Sequence, residues 1–195
     1  ALVLVSLLTV VRPLAAQPAL ASSPLTVERV AALPSLIGTA PSGVAWSPDG
    51  TRLAFLWNEG GSPFRDLWLV QADGRGLRRL TTLQTTDPAP AAPDGQGTEA
   101  LAARVAARAR GGISEVVWDG PEALFFVHRG RLFRTGVHVG AAAPDLLAVG
   151  DGVSDVAVSP DRVSLAFLRD GDLWRWTRGA AAPDRLTSLG VPGIA

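Results

Sequence analysis

Few residues in this sequence have the types and spacing that catalysis or metal binding requires. A serine nucleophile on a strand-to-helix turn needs Gly-x-Ser-x-Gly, but Ser114 in GISEV and Ser154 in GVSDV both lack the second glycine. The two histidines, His128 and His138, have no partner at metal-ligand spacing, and we expect both to be ordinary strand-edge or surface residues. The chain contains no Cys, which excludes disulfides and thiolate metal sites. The sequence therefore predicts no catalytic residue, no cofactor and no metal site in these 195 residues.

Three polar residues are candidates for substrate binding. Glu59 and Arg65 lie in a long loop, NEGGSPFR, in which Phe64 is expected to be exposed, and Glu99 begins a helix-like segment. Loops on a rigid scaffold often carry binding residues, but surface decoration is an equally good interpretation of the helix-like segment. The six tryptophans lie mostly at strand positions, which favours a hydrophobic core between sheets over a ligand cage.

These candidates are positioned by a repeated strand pattern. Residues 43–81 predict four short strands, with period-2 alternation in VAW, LAFLW and DLWLV. SPDG at 47–50 and ADG at 72–74 are typical of the turns of an antiparallel meander. The same units return at 159–161, 165–168, 172–174 and 185–187, with a fainter copy at 113–134. Trp118 and Val158, which follow Trp46 in the alignment, are 40 residues apart, close to the roughly 40–45 residues of a four-stranded propeller blade.

The fold class predicted is therefore all-β: an incomplete β-propeller of about three four-stranded blades, with one short helix in an inter-blade insertion. The expected segments are a truncated signal peptide (1–21), a lead-in (22–42), a blade (43–81), a loop–helix insertion (82–111), a second blade (112–149) and a third blade (150–195) that leaves the ring incomplete. In the insertion we expect an irregular Pro- and Gly-rich first half and a helix over 98–110, with Thr98 as its N-cap.

Composition bears on partners and compartment. With 18 acidic and 18 basic residues the net charge is zero, so neither nucleic acid nor an anionic membrane is indicated. The apolar run at 1–11 and the small residues Ala19 and Ala21 predict the end of a secretory signal peptide, with no membrane span after its cleavage. The open alternative is that this run belongs to the fold. A secreted or periplasmic location is expected.

The unit SPDG-x-x-LAF…DLW…RRLT resembles the WD-like repeats of the TolB family of periplasmic proteins and of the prolyl oligopeptidase family. A longer run, ERVAALPSLIGTAPSGVAWSPDGTRLAFLWNE followed by PFRDLWLV, is similar to the N-terminal propeller of secreted bacterial peptidases related to dipeptidyl peptidase IV. The resemblance covers about 28–187.

That resemblance implies a serine peptidase whose propeller gates and orients peptide substrates for a C-terminal α/β-hydrolase domain. The partners implied are peptide substrates and the chain's own hydrolase domain, with a homodimer as a further alternative. In dipeptidyl peptidase IV a Glu-Glu pair on a propeller helix holds the substrate's amino group, whereas here Glu99 is followed by Ala100. Aminopeptidase and acylaminoacyl-peptidase specificities therefore stay open. The alternatives are a non-enzymatic TolB-like propeller that binds protein partners and a sugar- or lactone-binding propeller.

Overall fold

The computed structural model describes residues 26, 38–88 and 97–188. The predicted signal peptide and nearly all of the lead-in before Gly38 lie outside the described residues. Within them the chain forms three four-stranded antiparallel sheets, each a meander in chain order. The first sheet contains β1 (Ser42–Trp46), β2 (Arg52–Trp57), β3 (Asp66–Gln71) and β4 (Arg78–Arg79). The second contains β5 (Ile113–Trp118), β6 (Ala123–His128), β7 (Arg131–Gly136) and β8 (Asp145–Leu146), and the third β9 (Ser154–Val158), β10 (Ser164–Arg169), β11 (Asp172–Thr177) and β12 (Asp184–Arg185).

The three sheets pack face to face like the blades of a propeller, and they form an open arc. β1 contacts β5, and β5 contacts β9, so the first strand of each blade lies beside that of the next. The predicted fold class is confirmed. This arrangement also explains why all six residues of ALFFVH at 123–128 are buried: Leu124 and Phe126 face the first sheet, while Phe125 and Val127 face the third.

Two separate hydrophobic cores hold the arc together. The core between the first and second sheets is built from Ala54, Leu56, Leu67, Leu69, Ile113, Trp118, Leu124, Phe126 and Val137. The core between the second and third sheets is built from Phe125, Val127, Leu132, Val149, Val153, Val156, Leu165 and Phe167. Trp118 also donates its indole N–H to the Ala45 carbonyl at 3.0 Å, which fastens β5 to β1.

The tryptophans divide between these cores and the far side of the first sheet. Trp118 is buried, and Trp174 and Trp176 pack against the second core, as expected. Trp46 was expected in a core, but its side chain is 57% exposed. The reason is its register: Ala45, which alternates with Trp46, points toward the second sheet.

The predicted turns form as the residue types require. Asp49 accepts hydrogen bonds from the Ser47 hydroxyl and from the Thr51 N–H and hydroxyl, at 2.6–3.1 Å, and these bonds lower its pKa to about 2. Gly50 closes the turn with a φ of +68°. In the second and third sheets the hairpins turn at Arg129-Gly130 and Asp170-Gly171, where all four φ angles are positive. Two successive positive φ angles define the tight hairpin turn that matches strand twist.

The insertion between β4 and β5 contains two helices, α1 (Leu83–Thr86) and α2 (Thr98–Gly111). The helix predicted over 98–110 is confirmed. Two details were wrong: α1 lies within the half expected to be irregular, and Gly97, not Thr98, is the N-cap of α2. Thr98 is already helical and no side chain caps the first turn.

Candidate interaction face

One end of the arc carries the long excursions, and we call it the insertion end. It consists of the β2–β3 loop (58–65), the described parts of the insertion (82–88 and 97–111), the β6–β7 turn and the segment before β9. Hydrogen bonds join these pieces: Ile113 N–H donates to the Arg65 carbonyl at 2.9 Å, and Val153 N–H donates to the Gly130 carbonyl at 2.8 Å. Irregular loops held this way on a sheet scaffold are the usual place for binding residues.

Asn58 organises the β2–β3 loop. Its Oδ1 accepts hydrogen bonds from Gly60 N–H and Ser62 N–H, both at 3.0 Å, and its Nδ2 donates to Gln84 Oε1 of α1 at 2.6 Å. The loop therefore folds inward, and Phe64 is only 2% exposed. The expectation of an exposed Phe64 was wrong, because the loop's polar groups are satisfied by Asn58 and leave the ring free to pack.

Gly112 lets the second blade approach this loop closely. A Cβ atom placed on Gly112 would lie 2.5 Å from the Arg65 nitrogen and 2.9 Å from the Arg65 oxygen, distances that only glycine permits. Among the described residues, Arg65 Nε is a buried atom without a hydrogen-bond partner. The contact fixes where α2 ends, since Gly112 directly follows that helix.

A buried histidine fastens the insertion to the second blade. His128 Nε2 lies 2.9 Å from Asp87 Oδ2, and its Nδ1 lies 3.4 Å from the Gly112 carbonyl. Arg129 Nη1 donates to the other Asp87 oxygen at 2.7 Å. The hydrogen bond from His128, together with the Arg129 charge, lowers the pKa of Asp87 below its usual value.

His128 is therefore neither exposed nor free to act as a base for a nucleophile. It does end a strand, as expected, but it is 2% exposed and both ring nitrogens are engaged. His138, after β7, is exposed. The sequence missed the His128–Asp87 pair because the two residues are 41 positions apart and Asp87 follows a helix that was not predicted.

The three predicted substrate-binding residues lie in the two excursions but do not form one site. Glu59 forms a 3.8 Å ion pair with Arg79 on β4, Arg65 packs its backbone against Gly112, and Glu99 is exposed in the first turn of α2. Within 38–88 and 97–188, no hydrogen bond or ion pair joins any two of them.

The structure also brings together two carboxylates that the sequence did not single out, those of Glu115 and Asp155. Glu115 on β5 accepts a hydrogen bond from Val156 N–H on β9 at 2.7 Å. Burial raises the pKa of Glu115, and the neighbouring charge of Asp155 raises it further. Asp155 itself has a φ of +51°. The sequence could have indicated this pair, because the runs SEV at 114–116 and SDV at 154–156 place acidic residues at equivalent positions of neighbouring strands.

Two properties of the described part of the chain bear on the class of site. No group of three or more His, Cys, Asp or Glu residues there is arranged to hold a metal ion. No described helix has the length and apolar character needed to cross a membrane. The insertion end offers a polar surface that carries ion pairs and helix α2.

Sequence comparison finds a local likeness to TolB. A stretch of 48 residues, 25% of this chain, is 46% identical to the Tol-Pal system protein TolB of Anaeromyxobacter dehalogenans (strain 2CP-1 / ATCC BAA-258), and covers 11% of that protein. The TolB of Anaeromyxobacter sp. (strain K) matches to the same extent. The match thus spans about a tenth of those relatives. No family profile matches this chain.

Structural comparison finds two kinds of propeller protein equally similar. TolB from Acinetobacter baumannii superposes with a TM-score of 0.51 at 15% identity, over 77% of this chain and 33% of that one. A puromycin-hydrolyzing peptidase from Mycobacterium tuberculosis superposes with a TM-score of 0.52 at 18% identity, over 78% of this chain and 22% of that one. At such identities the likeness shows the fold alone, and the fold of this chain is that of propeller blades found in both proteins.

Proposed function

We propose that this chain is the N-terminal propeller portion of a secreted or periplasmic serine peptidase of the dipeptidyl peptidase IV and prolyl oligopeptidase type. In this role it gates and orients peptide substrates for an α/β-hydrolase domain of the longer protein. The 195 residues contain no Gly-x-Ser-x-Gly, so the nucleophile is assigned to that domain.

One observation carries the proposal. Among the described residues that the longer peptidase-like run adds to the generic propeller repeat, GT at 38–39, WN at 57–58 and PF at 63–64 contribute to one connected structure. Trp57 Nε1 donates to the Thr39 carbonyl at 2.7 Å, and Thr39 Oγ1 donates to the Asn58 carbonyl at 2.9 Å. Asn58 then holds the loop that buries Phe64. Because hydrogen bonds join these residues, we give their resemblance to the peptidase propellers more weight than that of isolated turn motifs.

The insertion end suits a gating role because its irregular segments are held by side-chain hydrogen bonds. Asp87 and Asn58 together tie α1 to both neighbouring blades. Glu99 stands alone on α2, without a second Glu beside it. The proposal therefore keeps dipeptidyl, aminopeptidase and acylaminoacyl specificities as alternatives.

The test is to express the gene product together with the coding sequence that follows Ala195 and to treat it with a fluorophosphonate probe, which labels activated serines. We expect labelling, and hydrolysis of Ala-Pro-p-nitroanilide or Ala-Ala-p-nitroanilide. Comparing each substrate with its N-acetylated form separates amino-terminal from acylaminoacyl specificity. A folded product that is neither labelled nor active on any of these substrates would overturn the proposal.

The second candidate is a non-enzymatic TolB-like propeller that binds protein partners. The 46% identity over 48 residues to TolB proteins favours it. The same expression experiment separates the two, because a TolB-like product carries no fluorophosphonate-reactive serine. Co-purification with a specific periplasmic protein after cross-linking would then support the second candidate.

A further inference from the structure

Helix α2 concentrates positive charge that the rest of the fold does not neutralise. Ten described arginines form an ion pair with an Asp or Glu: Arg52, Arg75, Arg79, Arg129, Arg131, Arg134, Arg169, Arg175, Arg178 and Arg185. By contrast, none of Arg104, Arg108 and Arg110 is paired with a carboxylate among the described residues. Six described arginines have no such ion pair, and three of the six lie on this one helix; the others are Arg65, Arg78 and Arg162.

The described acidic residues of the insertion end that lie outside α2 are engaged elsewhere. Asp87 is held by His128 and Arg129, Glu59 pairs with Arg79, and Asp151 pairs with Arg131. Glu99, the one acidic residue of α2, is in its first turn, at the opposite end from Arg108 and Arg110. Arg65, whose backbone packs against Gly112 just past the helix, also has no described ion pair. The C-terminal half of α2 therefore lies in a locally cationic surface of a chain whose net charge is zero.

Two arginines and two apolar side chains of this surface lie on one side of α2. Arg104 and Arg108 are four residues apart, so they lie on one side of the helix, and Leu101 and Val105 lie beside them at the same spacing. The helix dipole accounts for arginines in the last turn, but it does not explain Arg104 in the middle of the helix. Arg108 and Arg110 are exposed, and Arg104, Leu101 and Val105 are partly exposed.

We propose that α2 is a docking helix for an acidic polypeptide segment, whose carboxylates pair with Arg104 and Arg108 and whose apolar side chains contact Leu101 and Val105. Arg110, on the opposite side of the helix, adds positive charge without belonging to that face. Guanidinium groups form paired hydrogen bonds with carboxylates. A membrane surface fits less well, because helices that lie in a bilayer interface present bulky Trp, Phe or Leu side chains, whereas α2 offers Leu101, Val105 and alanines. The inference depends on charge and is independent of the proposed peptidase role.

The experiment measures binding of a fluorescein-labelled oligoglutamate peptide to the full chain by fluorescence anisotropy, at low and high salt. The test variant is Arg104→Gln/Arg108→Gln/Arg110→Gln. The matched control is Arg75→Gln/Arg131→Gln/Arg175→Gln, which makes the same charge change at exposed arginines that are ion-paired. A Gly-Ser peptide of the same length tests for binding that does not require carboxylates.

We expect salt-sensitive binding of oligoglutamate, weakened about tenfold or more by the α2 variant and little by the control. Equal weakening by both variants would overturn the proposal, since only net charge would then matter. Absence of oligoglutamate binding, or equal binding of the Gly-Ser peptide, would also overturn it. Vesicles of phosphatidylcholine and phosphatidylserine provide the last comparison: vesicle binding that depends on the three arginines without peptide binding would assign α2 to membranes instead.

Discussion

Thr81 Oγ1 donates a hydrogen bond to Asp66 Oδ1 at 2.7 Å, and the two residues close the outer edge of the first blade. The same hydroxyl accepts from Leu67 N–H at 2.9 Å, and Asp66 Oδ1 also accepts from Leu83 N–H at 2.8 Å. The third blade repeats the pair as Thr187 and Asp172. The repeated sequence DLW…RLT is therefore a hydrogen-bonding unit that joins β3 to the chain after β4.

Thr81→Val is expected to lower the free energy of unfolding by about 1–3 kcal/mol, because it removes the acceptor of the buried Leu67 N–H and one of the hydrogen bonds to the buried Asp66 carboxylate. Urea denaturation followed by tryptophan fluorescence measures the loss. Thr187→Val is the matched control, and a smaller loss is expected because Thr187 is less buried and Arg185 also contacts Asp172. Equal losses would show that the deeper burial of Thr81 does not raise the cost.

Gly112→Ala is expected to destabilise the chain by about 1–3 kcal/mol, the usual cost of forcing atoms into a packed site. The added methyl group would meet the backbone of Arg65, which has little room to move. Gly60→Ala is the control, because its Cβ would meet only Asn58 Oδ1 at 3.4 Å. A neutral Gly112→Ala, measured by the same urea denaturation, would mean that the two segments separate easily.

Most of the fold could be predicted from the sequence because the repeat specifies it locally. Strand alternation and turn residues act over a few positions, and four matching sites fix the register of the blades. The short helix α1 escaped detection because its four residues, LQTT, carry no periodic signal. Burial of Phe64 could not be predicted either, since it depends on Asn58, six residues earlier, satisfying the loop.

The candidate site was predictable only as a region. The excursions that carry Glu59, Arg65 and Glu99 were located correctly, but their mutual separation depends on packing between blades. His128 on the second blade meets Asp87 in the insertion, and Glu115 on the second blade meets Val156 on the third. Contacts of this kind are long-range in sequence, and neither periodicity nor spacing contains them.

Arg162→Gly is expected to raise the free energy of unfolding by up to about 1 kcal/mol, because Arg162 has a φ of +60°, a conformation that costs a residue with a Cβ about that amount. Gly50 occupies the equivalent turn position of the first blade, at +68°. Arg162→Ala is the control, since it removes the side chain but keeps the unfavourable backbone conformation. If both variants unfold at the same urea concentration, strain at this position is negligible.

Glu115→Gln is expected to make the chain more stable at neutral pH. The folded-state pKa of Glu115 is raised, first by burial and then by Asp155, so folding favours its protonated form. The stability associated with that form is present below the unfolded-state pKa and is lost as pH rises through the folded-state pKa. Glutamine cannot ionise and still offers an oxygen to Val156 N–H, so the variant should escape this loss.

The measurement is urea denaturation of wild type and variant from about pH 4 to about pH 8, a range that extends well above the usual pKa of glutamate. The stability difference should be small at the acidic end and should grow in favour of Glu115→Gln as pH rises. Glu99→Gln, at an exposed position on α2, is the matched control. A stability difference that stays constant with pH would mean that Glu115 ionises as freely in the folded chain as in the unfolded one. Its carboxylate would then carry no electrostatic cost between β5 and β9.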